Sequence, residues 1–228
     1  MEVIQQDNMN KIIIIGAGGH AAELIDYLMY MNHTSVATTP QNWEIVGLID
    51  DSEANYHQYQ YNFPYLGTIQ AHQVRNDVGY VMGIANMKYR RTIIERLLQK
   101  KAQFISIIHP TALVSPSAKI GVGCVISHNV SIGPKAVIGD FNLINSRCTI
   151  GHDTTIEAYN FLSPQVVTGG FAVLGDENFI GTNGVVLPGI TLGNKNTVAA
   201  GMIVDKNVTD NTTVFHRFKE KMMVINAQ

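Results

Sequence analysis

The sequence predicts an α/β unit with a small parallel sheet, followed by a parallel β-helix. Three observations carry this. From Val114 to Val204, stepping by six, 15 of 16 positions are Val, Ile or Leu, and the register never slips. Near the start, the apolar run Lys11-Ile12-Ile13-Ile14-Ile15 leads into Gly16-Ala17-Gly18-Gly19-His20 and then a helical pattern. Charge is scarce: 15% of residues are charged, against about 25% in a typical soluble domain. The deficit concentrates in residues 111–208, which hold five basic and six acidic residues in 98 positions.

The first unit reads element by element. Residues 11–15 form a buried strand. Residues 16–21 form a glycine-rich turn, and a helix runs to about Met31. Glu44 to Ile49 is a second strand ending in Asp50-Asp51. Tyr80 to Ile84 is a third, ending near Asn86. Lys88 to Lys101 is an amphipathic helix, and Phe104 to Ile108 is a fourth strand before His109-Pro110. Strand, glycine turn, helix is the phosphate-binding layout of a Rossmann-like unit, because glycines let the backbone approach a phosphate and the helix N-terminus offers N–H donors. Ligands of such sheets bind beyond the carboxyl ends of the strands. Gly16, Gly18, Gly19, His20, Asp50, Asp51 and Asn86 all fall on that edge. A tight turn that merely packs the helix is the plainer alternative. A full dinucleotide-binding domain is disfavoured. Four strands suit a mononucleotide half, and Asp50 follows Gly16 later in the chain than the acidic residue that usually reads a ribose. The segment from His33 to Asn42 reads as a loop inserted before the second strand.

The second unit follows from its period. Apolar residues in an amphipathic helix recur near 3.6, so a period of six excludes one. It is the hexapeptide signature of a parallel β-helix. Three hexads make an 18-residue triangular coil, and sixteen hexads make about five coils, each about 4.8 Å above the last. The aliphatic residue fills the interior. Gly follows it in eight hexads, read here as serving turn conformations costly for other residues. Cys124 and Cys148 sit at the small interior position, four hexads apart and so on different faces, and are read as core filler. The expected boundaries are 1–108, 109–210 and a tail, 211–228.

Several classes are excluded or disfavoured. With 16 Lys plus Arg against 18 Asp plus Glu, no basic excess exists to neutralise phosphates, which argues against nucleic acid as a partner. No apolar stretch approaches the 18 or so residues of a membrane helix, so no membrane insertion is expected. No signal peptide is visible, and two cysteines make no disulfide framework, so a reducing cytoplasm is the expected compartment. No ligand spacing resembles a zinc site, and no metal is expected. No GxSxG occurs, and both cysteines point inward.

The GAGGHA turn, the GLIDD strand end, the GIANMKYRR segment and the HPTA entry into the hexads together resemble one family along nearly the whole chain. The sequence is similar to bacterial nucleotide-sugar acetyltransferases of the sialic-acid O-acetyltransferase type, including those that N-acetylate nucleotide-linked (UDP- or dTDP-) 4-amino-4,6-dideoxy sugars. The resemblance implies left-handed coiling, acetyl-CoA as co-substrate, a nucleotide-linked amino sugar held by the first unit, and a homotrimer with active sites between adjacent β-helices. It also implies a catalytic His followed by an acidic residue, here His152-Asp153. The helper glycine, whose N–H faces the thioester oxygen, matches Gly170, which coil arithmetic places one coil from His152 in a column with Pro134 and Pro188. Coenzyme contacts match Phe161, Gly170, Gly181, Thr182, Ala199, Ala200 and Gly201. Arg90 matches a recurrent family arginine and is carried over as a nucleotide-sugar contact; a solvated helix face is its plainer reading.

The sequence departs from the family at two places. Phe161 stands where many relatives carry a second His, and the GxPA segment after the last coil is missing. His152 would take the amine proton as general base, Asp153 would orient it, and the Gly170 N–H would meet the developing oxyanion. Neighbouring residues of an extended segment face opposite ways, so Asp153 serves only if the turn folds it back. Direct transfer is favoured over a covalent acetyl-enzyme. His128 is the alternative base, on another face. His109 reads as structural at the junction, and His33, His57, His72 and His216 as surface or loop residues. Tyr56, Tyr59, Tyr61 and Tyr65 form an aromatic loop that either stacks on a base or covers the sheet. The competing functions are a sugar O-acetyltransferase, which would use the same base, and a noncatalytic sugar-nucleotide-binding scaffold.

Overall fold

The computed structural model describes residues 10–33 and 42–215. Residues 34–41 of the inserted loop, His216 and most of the tail therefore lie outside the described residues, while His33 ends the first helix. The first unit runs β1 (Lys11–Ile15), α1 (Gly19–His33), β2 (Glu44–Ile49), α2 (Glu53–Tyr59), β3 (Gly79–Met82), α3 (Met87–Gln99) and β4 (Gln103–Phe104). Its strands pair in parallel in the order β2-β1-β3-β4. The four isoleucines of β1 are all buried, because successive side chains point to opposite faces and both faces are covered. Ile12 and Ile14 pack with Leu24 and Leu28 of α1, while Ile13 and Ile15 pack with Ile94 and Leu97 of α3.

The second unit is a parallel β-helix of two-residue strands, in keeping with the left-handed winding that the resemblance implies. Its three walls hold five, seven and six strands, which makes six coils, where the sequence predicts about five. The extra coil has two sources. β5 (Ile107–Ile108) pairs with Val125-Ile126 of the β-helix, whereas the fourth strand of the α/β sheet ends at Phe104. At the far end Val198 pairs with Val214, so the last coil closes two residues shorter than the others. The predicted interior positions are inside: Ile126, Ile144, Leu162, Ile180 and Val198 stack as one column, buried to 0% exposure.

The repeat glycines have a different cause from the one expected. The left-handed backbone position is the third residue after most of the interior repeat positions, and most occupants are not glycine: Asp153, Tyr159, Gln165 and Phe171 have φ of 56°, 62°, 63° and 60°. The glycines one position after the aliphatic meet the backbone of the next coil instead. A Cβ on Gly151 would fall 2.5 Å from the Gly170 nitrogen, and one on Gly133 would fall 2.7 Å from the His152 nitrogen. Space, not φ, demands glycine there.

One corner is stitched by a buried asparagine ladder that the hexad pattern does not announce. The N–H groups of Asn160, Asn178 and Asn196 donate to the Oδ1 of Asn142, Asn160 and Asn178, each at 2.8–2.9 Å. Each amide satisfies a backbone donor that would otherwise be buried unpaired, at a cost of about 1–3 kcal/mol.

The two units share a packed interface. Val125, Leu143 and Phe161 on the seven-stranded wall join the α1 side of the sheet core. Tyr27 and Tyr30 of α1 pack on His109, their ring centroids 5.1 and 5.0 Å away. Arg91 pairs with Glu177 and Glu95, and its guanidinium lies 4.9 Å from the Tyr159 ring centre.

Candidate active site

His152 and Gly170 lie on the corner that follows the six-stranded wall. The N–H of Phe171 donates to the His152 carbonyl, and the N–H of Gly189 donates to the Gly170 carbonyl. The expected column therefore exists. Asp153 takes the left-handed conformation, which folds its side chain back, and its Oδ2 lies 2.9 Å from His152 Nδ1. The imidazole is 57% exposed. Its Nε2 and Cε1 lie over Gly170: a Cβ at Gly170 would sit 2.7 Å from each. Phe171 meets the ring edge-on, with centroids 5.1 Å apart. The hexad pattern gives Phe171 no role; its place beside His152 follows from the same 18-residue spacing that locates Gly170.

The backbone donors at this corner are free. At the corner after the five-stranded wall, side chains cap the turn: the N–H groups of Val122 and Ala158 donate to Asp140 and Asp176, and that of Asp176 donates to Asn194. Above His152 and Gly170 stand Gly170 and Pro188, which carry no acceptor side chain. Among the described residues, the N–H groups of His152 and Gly170 have no hydrogen-bond partner. The same holds for Thr182 and Ala200, stacked on the corner after the seven-stranded wall. Gly181, Ala199 and Gly201 flank them. A Cβ on Gly181 would reach within 2.6 Å of the Ala200 nitrogen. Phe161 lies on the wall leading into that corner, half-buried and stacked on Phe179 at 5.2 Å.

The other titratable groups are placed as follows. Cys124 and Cys148 are buried in the prism, and burial pushes each thiol up to about 12. His128 faces Tyr27 and His109 at the interface, on a different corner from His152. His72 is not a surface residue: it is 9% exposed, and its Nε2 lies 2.9 Å from the Tyr80 hydroxyl. His33 and His57 are exposed, as expected. Among the described residues no group of three His, Cys, Asp or Glu could hold a metal, and no helix is long and apolar enough to cross a membrane.

A cavity of about 600 Å³ opens beyond the carboxyl ends of β1, β2 and β3. It is lined by Gly18, Asp50, Asp51 and Asn86, with Gly83 to Ala85 and one stripe of α3. Gly18 faces open space, whereas a Cβ on Gly16 would fall 2.7 Å from Ile84. Gly19 approaches the Tyr59 hydroxyl. The Asp50 carboxylate accepts from the Ala17 and Ser52 N–H groups at 2.7 Å each, so it braces the glycine turn. Asn86 caps α3, accepting from the Lys88 N–H at 3.0 Å. His20 pairs with Glu23 through Nδ1 at 3.2 Å, and its buried Nε2 has no partner among the described residues. The tyrosines cover and brace this edge. Tyr61 donates to the Ala17 and Gly18 carbonyls and Tyr65 to the Asp50 carbonyl.

Arg90 is not part of that cavity, nor is it a solvated face. It is 1% exposed and donates to the Ile84 and Phe141 carbonyls at 3.2 Å, tying α3 to the β-helix, and burial pushes it down to about 10. Arg96, two turns along α3, lines the cavity instead. Tyr89, Thr92, Ile93 and Arg96 form a stripe at helical spacing, the signal that could have found it.

The comparisons with known proteins agree with this layout. Residues 11–97 match the PglD N-terminal domain family. A curated relative, the UDP-N-acetylbacillosamine N-acetyltransferase of Bacillus subtilis, is 30% identical over 120 residues; the match spans 52% of this chain and 51% of that protein, about half the length of each. The acetyltransferase domain of PglB from Neisseria gonorrhoeae, solved with acetyl coenzyme A, superposes with a TM-score of 0.76 at 25% identity, over 90% of this chain and 96% of that one. PerB from Caulobacter crescentus, solved with CoA and GDP-perosamine, gives 0.75 at 25% identity, over 90% and 94%. Residues 11–97 thus carry a PglD-type N-terminal domain, and the chain as a whole is similar in fold to these nucleotide-amino-sugar acetyltransferases.

Proposed function

We propose that this protein is an acetyl-CoA-dependent N-acetyltransferase that acetylates the amino group of a nucleotide-linked amino sugar, with a UDP- or dTDP-linked 4-amino-4,6-dideoxy sugar as the expected acceptor. One observation carries the reading: the His152–Asp153 pair, 2.9 Å apart, sits beside an unpartnered Gly170 N–H. Asp153 holds Nδ1 and leaves Nε2 to accept the amine proton. The amine nitrogen bonds to the thioester carbon, the Gly170 N–H donates to the oxygen that gains charge, and the departing thiolate recovers the proton from His152. The acetyl group passes directly, since the two cysteines are buried and held as thiols. The free N–H groups at Thr182 and Ala200 suit the amide carbonyls of the coenzyme's pantetheine arm, and Gly181, Ala199 and Gly201 keep that corner low. Phe161 supplies an apolar wall beside it.

The nucleotide end belongs to the cavity of the first unit, with Gly18, Gly19 and His20 at the diphosphate, and Asp51 and Asn86 farther along. That cavity and His152 lie on different sides of one chain. The α/β unit packs on the seven-stranded wall and its neighbouring corners, whereas His152 occupies the corner between the other two walls. A neighbouring subunit completes the site in this reading. The six-stranded wall beside His152 presents Leu113, Val167 and Ile203, which are 73%, 37% and 57% exposed, as a surface for it.

The test is thiol release from acetyl-CoA across UDP-, dTDP-, GDP- and CMP-linked amino sugars and their hydroxyl counterparts. The wild type is expected to use an amino sugar, and His152→Ala to lose about 100-fold or more of the rate. Near-wild-type transfer by His152→Ala would falsify the assignment.

A further inference from the structure

The cavity of the first unit contains a cation with nothing to bind. Arg96 lines it, its Nε is buried, and no hydrogen bond or ion pair of Arg96 occurs among the described residues. A guanidinium is charged at any physiological pH and carries five donors and no acceptor. Holding it part-buried and unpaired is costly, unless a ligand completes it. Among the described residues that line the cavity, the other charged side chain free to meet a ligand is Asp51, which gives one oxygen to the Gln70 N–H. Asp51 and Arg96 do not pair with each other, so the cavity offers one acceptor and one donor set. Ile69, Ile84 and Ile93 also line the cavity and offer apolar surface suited to the faces of a planar ring.

The two ends of the cavity differ in chemistry: Gly18 of the glycine turn and Arg96 of α3 both line it. The glycine turn and the start of α1, with their N–H groups, are the diphosphate end. Arg96 lies at the seventh helical position beyond Tyr89 and nine residues past the start of α3, about 14 Å along it at 1.5 Å per residue. With a diphosphate at the glycine turn, the part of the cavity lined by Arg96 is left for the base.

We propose that Arg96 is a specificity-determining residue that reads the nucleobase, donating to a ring carbonyl oxygen of the base while the isoleucines hold its faces. This rests on the nucleotide-sugar reading above. It favours bases that carry a carbonyl (uracil, thymine, guanine) over adenine, which has none. Arginine pairs with carbonyl-bearing guanine edges, whereas adenine edges call for an amide side chain.

The experiment is calorimetric titration of the full-length protein with UDP, dTDP, GDP and ADP, comparing wild type with Arg96→Met and Arg96→Lys. Melting curves check that the variants fold, and acetyl-CoA titration serves as the unaffected control. The wild type is expected to bind at least one carbonyl-bearing nucleotide about tenfold or more tightly than ADP. Arg96→Met should erase most of that preference by weakening only the carbonyl-bearing ligands, and Arg96→Lys should keep part of it. The proposal is overturned if Arg96→Met keeps the wild-type preference, or if it weakens all four ligands equally, which would place Arg96 at the phosphates. If the wild type binds none of the four, the nucleotide-site reading itself falls. Loss of the preference with acetyl-CoA affinity intact separates Arg96 from general damage.

Discussion

At the scale of residues, the site depends on absent atoms as much as on present ones. Gly170 has no Cβ where the His152 imidazole lies, and no acceptor side chain stands above its N–H. Gly170→Ala should therefore displace the imidazole, because the new carbon would start 2.7 Å from Nε2. A displacement of about 1 Å at a reacting group costs up to about 100-fold. The expected result is a 10- to 100-fold fall in kcat with the melting temperature little changed, read from steady-state kinetics beside a thermal scan. A variant with wild-type kcat would show that the ring has room elsewhere. Asp153 illustrates the same economy. Its left-handed φ belongs to the repeat, shared with Tyr159, Gln165 and Phe171. The turn that every coil makes is the one that turns this carboxylate back onto its neighbour.

At the scale of elements, two histidines couple the packing of the first unit to pH. His72 meets the Tyr80 hydroxyl, and His109 lies under Tyr27 and Tyr30. Burial lowers both below the ordinary histidine value of 6.5, aided by Lys100 and Arg75 at His72 and by His128 at His109. The unfolded chain thus takes up these protons first as the pH falls. Their stabilising contribution is full above about pH 6.5 and is lost as the pH drops through the lower folded values. Melting temperatures between pH 7.5 and 5 should decline, and a His72→Leu, His109→Leu double variant should show a flatter slope whatever its absolute stability. An unchanged slope would place the acid sensitivity elsewhere. His72 also shows what sequence reading lacks. Its burial comes from a tertiary partner eight residues away, on β3, and no local pattern encodes that. The strands and helices of the α/β unit are legible because each has its own period. The helix α2, in a stretch that reads as an aromatic loop, is not, since none of its residues is buried and no apolar stripe marks it.

At the scale of the whole molecule, the 18-residue register makes the β-helix and the His152–Gly170 column legible from the amino-acid order alone. The ends of the solenoid are not, because β5 shares its run of apolar residues with the preceding strand and the last coil is two residues short. Arg90 and Arg96 escape the sequence for a related reason: which side of α3 meets the β-helix and which meets the cavity is settled by how the two units dock. That docking also leaves His152 and the cavity of the first unit on separate sides of the chain. Two inactive variants should therefore rescue each other. Chains carrying His152→Ala, co-expressed with chains carrying Asp51→Lys in the cavity, should form mixed assemblies that regain part of the wild-type activity, because some sites would combine an intact histidine with an intact cavity. No activity from co-expressed material, with mixed assembly verified by mass spectrometry, would mean that each chain builds its own site.

The uniform rise of the coils has a last consequence. Each residue on the β-helix has a height set by a whole number of coils, so the wall works as a ruler graduated every ~4.8 Å. His152 is one mark below Gly170, and Thr182 is one mark below Ala200. Inserting or deleting one whole coil would slide one mark against another while keeping every side chain on its wall. A change of a single hexad would rotate everything beyond it onto the next wall. Any length that is not a whole number of hexads would put polar residues into the prism. In the proposed reading, the span between His152 and the far end of the coenzyme can therefore be lengthened in whole graduations only.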